Sequence, residues 1–210
     1  FASLNQLMFI HQIPSFIPSL FPRFTWSKDS ERQIYLTFDD GPTPEITDFV
    51  LECLAEYHAK ATFFCIGKNA ASHPTIMDRI KSEGHSIGNH TMNHLNAWSV
   101  DFNAYQADVE ACEAVFQKQG IQSIGFRPPY GRITRKMYKD IPNIVLWSVL
   151  TGDYNASLNS DAILQSVLPL LKPGAIVVFH DSVKAAPHLK AILPVILAHC
   201  NLQNLSCSAL

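Results

Sequence analysis

His90 and His94 stand four residues apart in His90-Thr91-Met92-Asn93-His94, a spacing that puts both imidazoles on one side of a helical turn and lets them share a metal ion. Two polar residues on a solvated face would show the same spacing, but Gly84, Gly88 and Asn89 just upstream mark a tight backbone suited to a site. Asp39 and Asp40 are adjacent, so in a continuing strand their carboxylates would project to opposite faces and take different jobs, one binding metal while its neighbour holds water. The run Asp39-Asp40-Gly41-Pro42 also fits a plain turn, since Asp-Gly and Gly-Pro are common turn pairs. Two histidines and one carboxylate with an open fourth position suit a hydrolytic zinc site and accept other divalent metals. A cation held there acidifies a water and polarises a carbonyl, which points to hydrolysis of an acyl group.

Three further positions bear on that chemistry. His180 ends an apolar run and is a proton donor near neutral pH, although a lone histidine at a strand end is often structural. Asp181 beside it reads either as a partner of the site or as the cap of the next helix. Arg127, in Phe126-Arg127-Pro128-Pro129-Tyr130-Gly131, is framed by two prolines that suit aiming a guanidinium at a carboxylate; its plainer reading is a surface ion pair.

The elements that must position these groups alternate in type. Residues 33–38 alternate apolar positions and stop at the Asp-Asp-Gly-Pro turn, which predicts a strand. From Pro44, with Thr43 placed as cap, Ile46, Phe49, Val50, Cys53, Leu54 and Tyr57 recur at helical spacing. The continuous apolar run 61–66 predicts a buried parallel strand. Further strands are expected at 85–88, 123–126, 144–150 and 175–179, with helices at 76–82, 105–119, 160–171 and 189–199, and a last strand within 202–210. Such alternation implies a parallel sheet covered by helices, either open or closed into a barrel. Functional groups in these folds gather at the carboxyl ends of strands, where Asp39-Asp40, Asn89-His90, Arg127 to Tyr130, Asp153 and His180-Asp181 all fall.

Composition narrows the class. The 210 residues are 47% hydrophobic and 16% charged, enough to bury a sizeable core and unlike a disordered chain. A net charge of −2 with no basic cluster argues against nucleic acid as a partner. No stretch reaches the roughly 18 consecutive apolar residues of a membrane-spanning helix, so no membrane insertion is expected. Five scattered cysteines without a Cys-x-x-Cys pair suggest buried thiols, and no obligate protein partner is evident. Residues 1–22 lack a basic n-region and a small-residue cleavage site and are punctuated by Pro14, Pro18 and Pro22, so they do not read as an intact signal peptide.

Taken together, Thr37-Phe38-Asp39-Asp40-Gly41-Pro42, His90 to His94, Arg127-Pro128-Pro129-Tyr130 and Val178-Phe179-His180-Asp181, in this order and spacing, resemble the polysaccharide deacetylases of carbohydrate esterase family 4, which share the NodB homology domain. The resemblance runs from about Ile34 to Val195. It implies an α/β fold, a distorted (β/α) barrel of seven parallel strands that is TIM-barrel-like. It divides the chain into a proline-rich lead-in, residues 1–30, packed on the barrel, and a deacetylase domain, 31–210.

By the same resemblance Asp39 is the catalytic base, and Asp40, His90 and His94 hold a divalent metal ion, zinc first, with cobalt, manganese or nickel as alternatives. Arg127 would hold Asp39, the backbone N–H of Tyr130 would help bind the oxyanion, and His180 would be the general acid. The fourth block departs from the family's usual Asp-x-x-Asp-Trp, reading Leu150-Thr151-Gly152-Asp153-Tyr154. Asp153 is kept, and an aspartate beside a protonated imidazole raises its pKa. The implied activity is removal of N-acetyl groups from N-acetylhexosamine glycans of chitooligosaccharide or peptidoglycan type, with envelope or extracellular glycans as the place of work. Alternatives are an O-acetyl esterase of xylan type and a catalytically silent glycan-binding homologue. Trp98, Trp147 and Tyr154 have side chains able to stack sugar rings, though Trp147 sits in an apolar stretch that suits the core equally.

Overall fold

The computed structural model describes residues 9–210, so the first eight residues of the expected lead-in lie outside the described residues. A short helix α1 (Phe16–Leu20) precedes β1 (Gln33–Asp39), α2 (Ile46–Glu56), β2 (Ala61–Cys65), α3 (Gly67–Ser72), α4 (Pro74–Ser82) and β3 (Ser86–Asn89). There follow α5 (Phe102–Lys118), α6 (Arg135–Asp140), β4 (Val149–Leu150), α7 (Ser160–Val167), β5 (Ile176–His180), α8 (Ala186–Leu202) and β6 (Ser206–Cys207).

The strands form one parallel sheet in the order β3-β2-β1-β5-β4, with β6 added to the start of β1. From residue 34 to 39 every residue of β1 is buried, as expected of a strand covered on both faces. Ile34, Leu36 and Phe38 belong to the cluster shared with α2 and α8, and Phe38 stacks between Phe63 and Phe179 at 5.2 and 5.3 Å. The alternate residue Tyr35 joins Phe64, Val145 and Ile176 in a second cluster. Period-two alternation thus assigns Tyr35, Thr37 and Asp39 to one face of β1.

The sheet closes on itself. Asn89 bridges Phe126, Phe126 bridges Ile144, and the same segment continues into β4, which pairs with β5. The expected strands at 123–126 and 144–150 are therefore present in part, as single bridges and the two-residue β4. Their irregularity has a local cause: Arg127 donates from Nε to the Val145 carbonyl at 3.2 Å and from Nη2 to the Leu146 carbonyl at 2.9 Å, turning those acceptors away from any neighbouring strand. The lead-in pairs with the barrel through Gln12 and Val149, Thr25 and Val145, and Ser27 and Ala175.

Two local expectations are corrected. Helix α2 is capped by Glu45, whose backbone N–H reaches Asp48, and not by Thr43, which instead donates its N–H to Thr47 Oγ1. The segment between His90 and His94 is a loop, not a helical turn, as described below. No helix among the described residues is long and apolar enough to cross a membrane. The five cysteines are unpaired thiols, four of them buried.

Candidate active site

The carboxyl ends of β1, β3, β4 and β5 open on a single cavity of about 590 Å³. β1 ends at Asp39, and Asp40 leaves the strand with φ 81°. β3 ends at Asn89, whose Oδ1 accepts the Thr91 N–H at 2.9 Å and starts a tight loop. Met92 and Asn93 are tied to Asp108 of α5, and Thr91 and His94 both take left-handed backbone, with φ 65° and 56°. This loop, not helical periodicity, brings the imidazole centroids of His90 and His94 to 5.1 Å. Of eight non-glycine residues with positive φ among those described, Asp40, Thr91, His94 and Tyr130 lie here, a concentration of strain of about 1–3 kcal/mol each.

One ligand atom each from Asp40, His90 and His94 lies within 4.8 Å of the others. His90 Nδ1 donates to the Arg127 carbonyl at 2.7 Å, which leaves Nε2 as a lone-pair donor 3.6 Å from Asp40 Oδ1. Burial drives the His90 pKa down to about 4, so its imidazole is neutral at neutral pH, the form that binds metal. Burial would raise the Asp40 pKa, but the imidazoles of His94, His180 and His90 hold it well below the usual carboxylate range. Asp40 Oδ1 is buried with no hydrogen-bond partner of acceptable geometry, even though His94 Nε2 comes within 3.1 Å. Three donors aimed at one another rather than hydrogen-bonded fit a divalent cation.

Behind this cluster lies Arg127, fully buried rather than in the surface ion pair that its sequence setting also allowed. Its Nη1 donates to Asp39 Oδ1 and to Thr37 Oγ1, each at 2.7 Å, and its guanidinium lies 4.0 Å from the Phe64 ring centroid. Asp39, itself 4% exposed, is thereby fixed with Oδ2 left over. Across the cavity both Asp153 oxygens serve His180, one accepting its backbone N–H at 2.7 Å and the other facing Nδ1 at 2.8 Å. Burial alone would lower the His180 pKa, but the charge and hydrogen bond of Asp153, with Asp39 and Asp40 beyond, push it up to about 9. Protonated His180 then has Nε2–H free of Asp153.

Tyr130 is 63% exposed at the mouth of the cavity and packs edge-on to His94 at 4.6 Å. Its turn is closed by the N–H groups of Gly131 and Arg132, not by its own. Gly131 is obligatory there, since a Cβ would meet the Trp147 ring. Asp39, Asp40, His90, His94, Tyr130 and His180 thus line one cavity, with Arg127 and Asp153 buried behind it.

Sequence reasoning left some participants open or unseen. Asp181 does not cap α8; its carboxylate is buried against the Gly41 N–H and the Thr47 hydroxyl and anchors the loop that carries Asp40. Trp147, weighed both as a sugar-stacking ring and as core, packs against the core and also lines the cavity, which Leu150 and Lys184 line as well. Tyr154, in the place of the usual Trp, packs edge-on to His180 at 4.8 Å.

A sequence model described as polysaccharide deacetylase matches residues 27–144. The chain belongs to the polysaccharide deacetylase family. A peptidoglycan-N-acetylglucosamine deacetylase of Bacillus cereus is 37% identical over 158 residues, which cover 73% of this chain and 57% of that protein. This chain therefore spans little more than half of that relative. A chitooligosaccharide deacetylase of Rhizobium leguminosarum bv. trifolii is 35% identical, with 75% of each chain covered. Among solved structures, a peptidoglycan N-acetylglucosamine deacetylase in complex with 4-naphthalen-1-yl-N-oxidanyl-benzamide superposes with a TM-score of 0.83 at 30% identity, covering 94% of both chains. The polysaccharide deacetylase fold is thus shared nearly end to end, barrel included.

Proposed function

We propose that this chain hydrolyses N-acetyl groups of N-acetylhexosamine glycans of the peptidoglycan or chitooligosaccharide type, giving acetate and a free amine, with Asp40, His90 and His94 holding a divalent cation, zinc first. The observation that carries this reading is the pair of groups flanking those three donors: Asp39 clamped by buried Arg127, and His180 paired with buried Asp153, which favours its protonated form. When bound, a divalent cation supplies Lewis acidity, polarising the amide carbonyl and easing deprotonation of water.

Asp39 Oδ2 takes the proton of the attacking water while Arg127 keeps the carboxylate oriented. The amide carbon becomes tetrahedral, and the Tyr130 N–H, unspent in its own turn, donates to the developing oxyanion, a contact worth roughly 3–4 kcal/mol when well placed. His180 Nε2 then protonates the departing nitrogen, which must gain a proton as the C–N bond breaks. Asp153 matches His180 to that task. The names of the relatives support the N-acetyl substrate.

Acetate release from N-acetylated chitooligosaccharides and from peptidoglycan, measured on chelator-stripped protein with and without added Zn²⁺ or Co²⁺, tests the reading. Metal-dependent release is expected. Folded, metal-loaded protein that releases no acetate from either substrate overturns it.

A further inference from the structure

We propose that Trp98 is a stacking platform for a pyranose ring flanking the sugar that loses its acetyl group, so that the chain prefers glycan stretches of several sugars over short ones. This rests on the glycan deacetylase reading above. Trp98 is 66% exposed, and Tyr130 and Val183 on the cavity lining are also large exposed apolar side chains. Large apolar side chains left exposed at and near a site mark a place where a ligand can lie.

The indole is held rigidly without being buried. Its backbone N–H donates to Asn96 Oδ1 at 3.0 Å, Asn96 Nδ2 donates to Ser99 Oγ at 2.8 Å, and the indole Nε1–H donates to the Ile133 carbonyl at 3.1 Å. The loop itself is anchored by the buried neighbour Ala97, so the ring is not needed as a plug. The Arg132 guanidinium lies 4.9 Å from the Trp98 ring and 5.5 Å from Tyr130, and Tyr130 in turn touches His94. A continuous line of contacts therefore runs from the metal-ligand cluster to Trp98.

An indole whose N–H is spent on protein and whose one face meets Arg132 offers its remaining face as apolar surface. The partner that fits is the C–H face of a pyranose, which stacks on aromatic rings and releases water from both. Arg132 beside it supplies donors for hydroxyls at the ring edge.

The test compares chitohexaose with chitobiose. Trp98→Ala is expected to raise KM for chitohexaose about tenfold with kcat largely kept, the size of one lost aromatic contact, and to cost less on chitobiose. Trp98→Tyr should recover most of the loss. Trp98 is the exposed one of three tryptophans, so chitohexaose should shift the wild-type indole emission to the blue, with most of that shift lost in Trp98→Tyr and only the contribution of cavity-lining Trp147 kept. Equal loss on both chain lengths, no loss on chitohexaose, or no recovery by Trp98→Tyr overturns the platform. If Trp98→Ala does not fold, Trp98→Tyr and the emission titration carry the test. If wild-type protein releases no acetate, the deacetylase reading fails, and the emission titration still decides the platform.

Discussion

Two adjacent carboxylates meet different surroundings here. Asp39 faces a buried guanidinium and Asp40 faces two imidazoles. Asp39→Asn should therefore cut turnover on the order of 10³-fold while leaving metal bound, whereas His94→Ala should lose metal affinity as well. Metal content after dialysis, set beside acetate release, separates the two; equal metal loss in both would contradict this division. Asp153 is tested by pH. His180 is raised from an ordinary 6.5 by its Asp153 partner, so the falling, alkaline limb of kcat/KM belongs above the ordinary histidine range. Asp153→Asn leaves burial, which lowers the value, and should move that limb toward neutrality. The same shift is a stability statement: the pair's contribution is fully present below about pH 6.5 and is lost as pH rises through about 9. Denaturant titrations across that window should show the loss in wild type and a flatter course in Asp153→Asn. The residue types of this site were legible in the sequence, because strand-end acids and histidines have few other reasons to cluster. The burial of Arg127 was not, since a guanidinium is buried only when Val145, Leu146, Thr37 and Asp39 all supply acceptors, and those come from two stretches of chain far from each other in sequence.

At the scale of elements, the apolar periodicity located every long helix and the strands β1, β2, β3 and β5 to within a few residues. It misread the His90 to His94 segment because i, i+4 spacing is satisfied equally by a loop with two left-handed residues, which Asn89 and Asp108 stabilise through side-chain bonds that no periodicity records. It also overstated the strands on either side of Arg127, where backbone acceptors go to a side chain. The loop after β1 shows what such anchoring is worth. Asp181 receives the Gly41 N–H at 3.0 Å and the Thr47 hydroxyl at 2.5 Å, and a Cβ at position 41 would run into that carboxylate. Gly41→Ala is expected to destabilise by about 1–3 kcal/mol through overpacking and to weaken metal binding by displacing Asp40. Thr47→Val, which removes one bond to a buried carboxylate, should cost about 1–3 kcal/mol without a clash. Thermal unfolding and metal titration of both variants check this; a Gly41→Ala protein with unchanged metal affinity would show that Asp181 anchors the fold alone.

For the whole molecule, parallel strands account for the convergence of distant residues, since β1, β3, β4 and β5 all deliver their last residues to the same end of the barrel. Alternation of strands and helices made that convergence legible, but not the closure of the sheet, which depends on isolated bridges from Asn89 to Phe126 and from Phe126 to Ile144 rather than on patterned strands. The fold also brings Asp40, His90 and His94 close together after the ends of two strands, and under the proposed reading a cation bound there would stabilise the folded state. A ligand that binds only the folded state stabilises it by about 2.7 kcal/mol at a hundredfold excess over Kd, and in a domain of this size each kcal/mol moves Tm by about 2–4 °C. Chelator-stripped protein should therefore melt about 5–10 °C below zinc-loaded protein, with Tm rising in step with the logarithm of free Zn²⁺. His94→Ala should flatten that rise, while Asp39→Asn, whose partner is Arg127, should keep it. A wild-type Tm indifferent to Zn²⁺ would mean that Asp40, His90 and His94 do not form a metal site at all, and the pairing of turnover with metal content would then have to be abandoned with it.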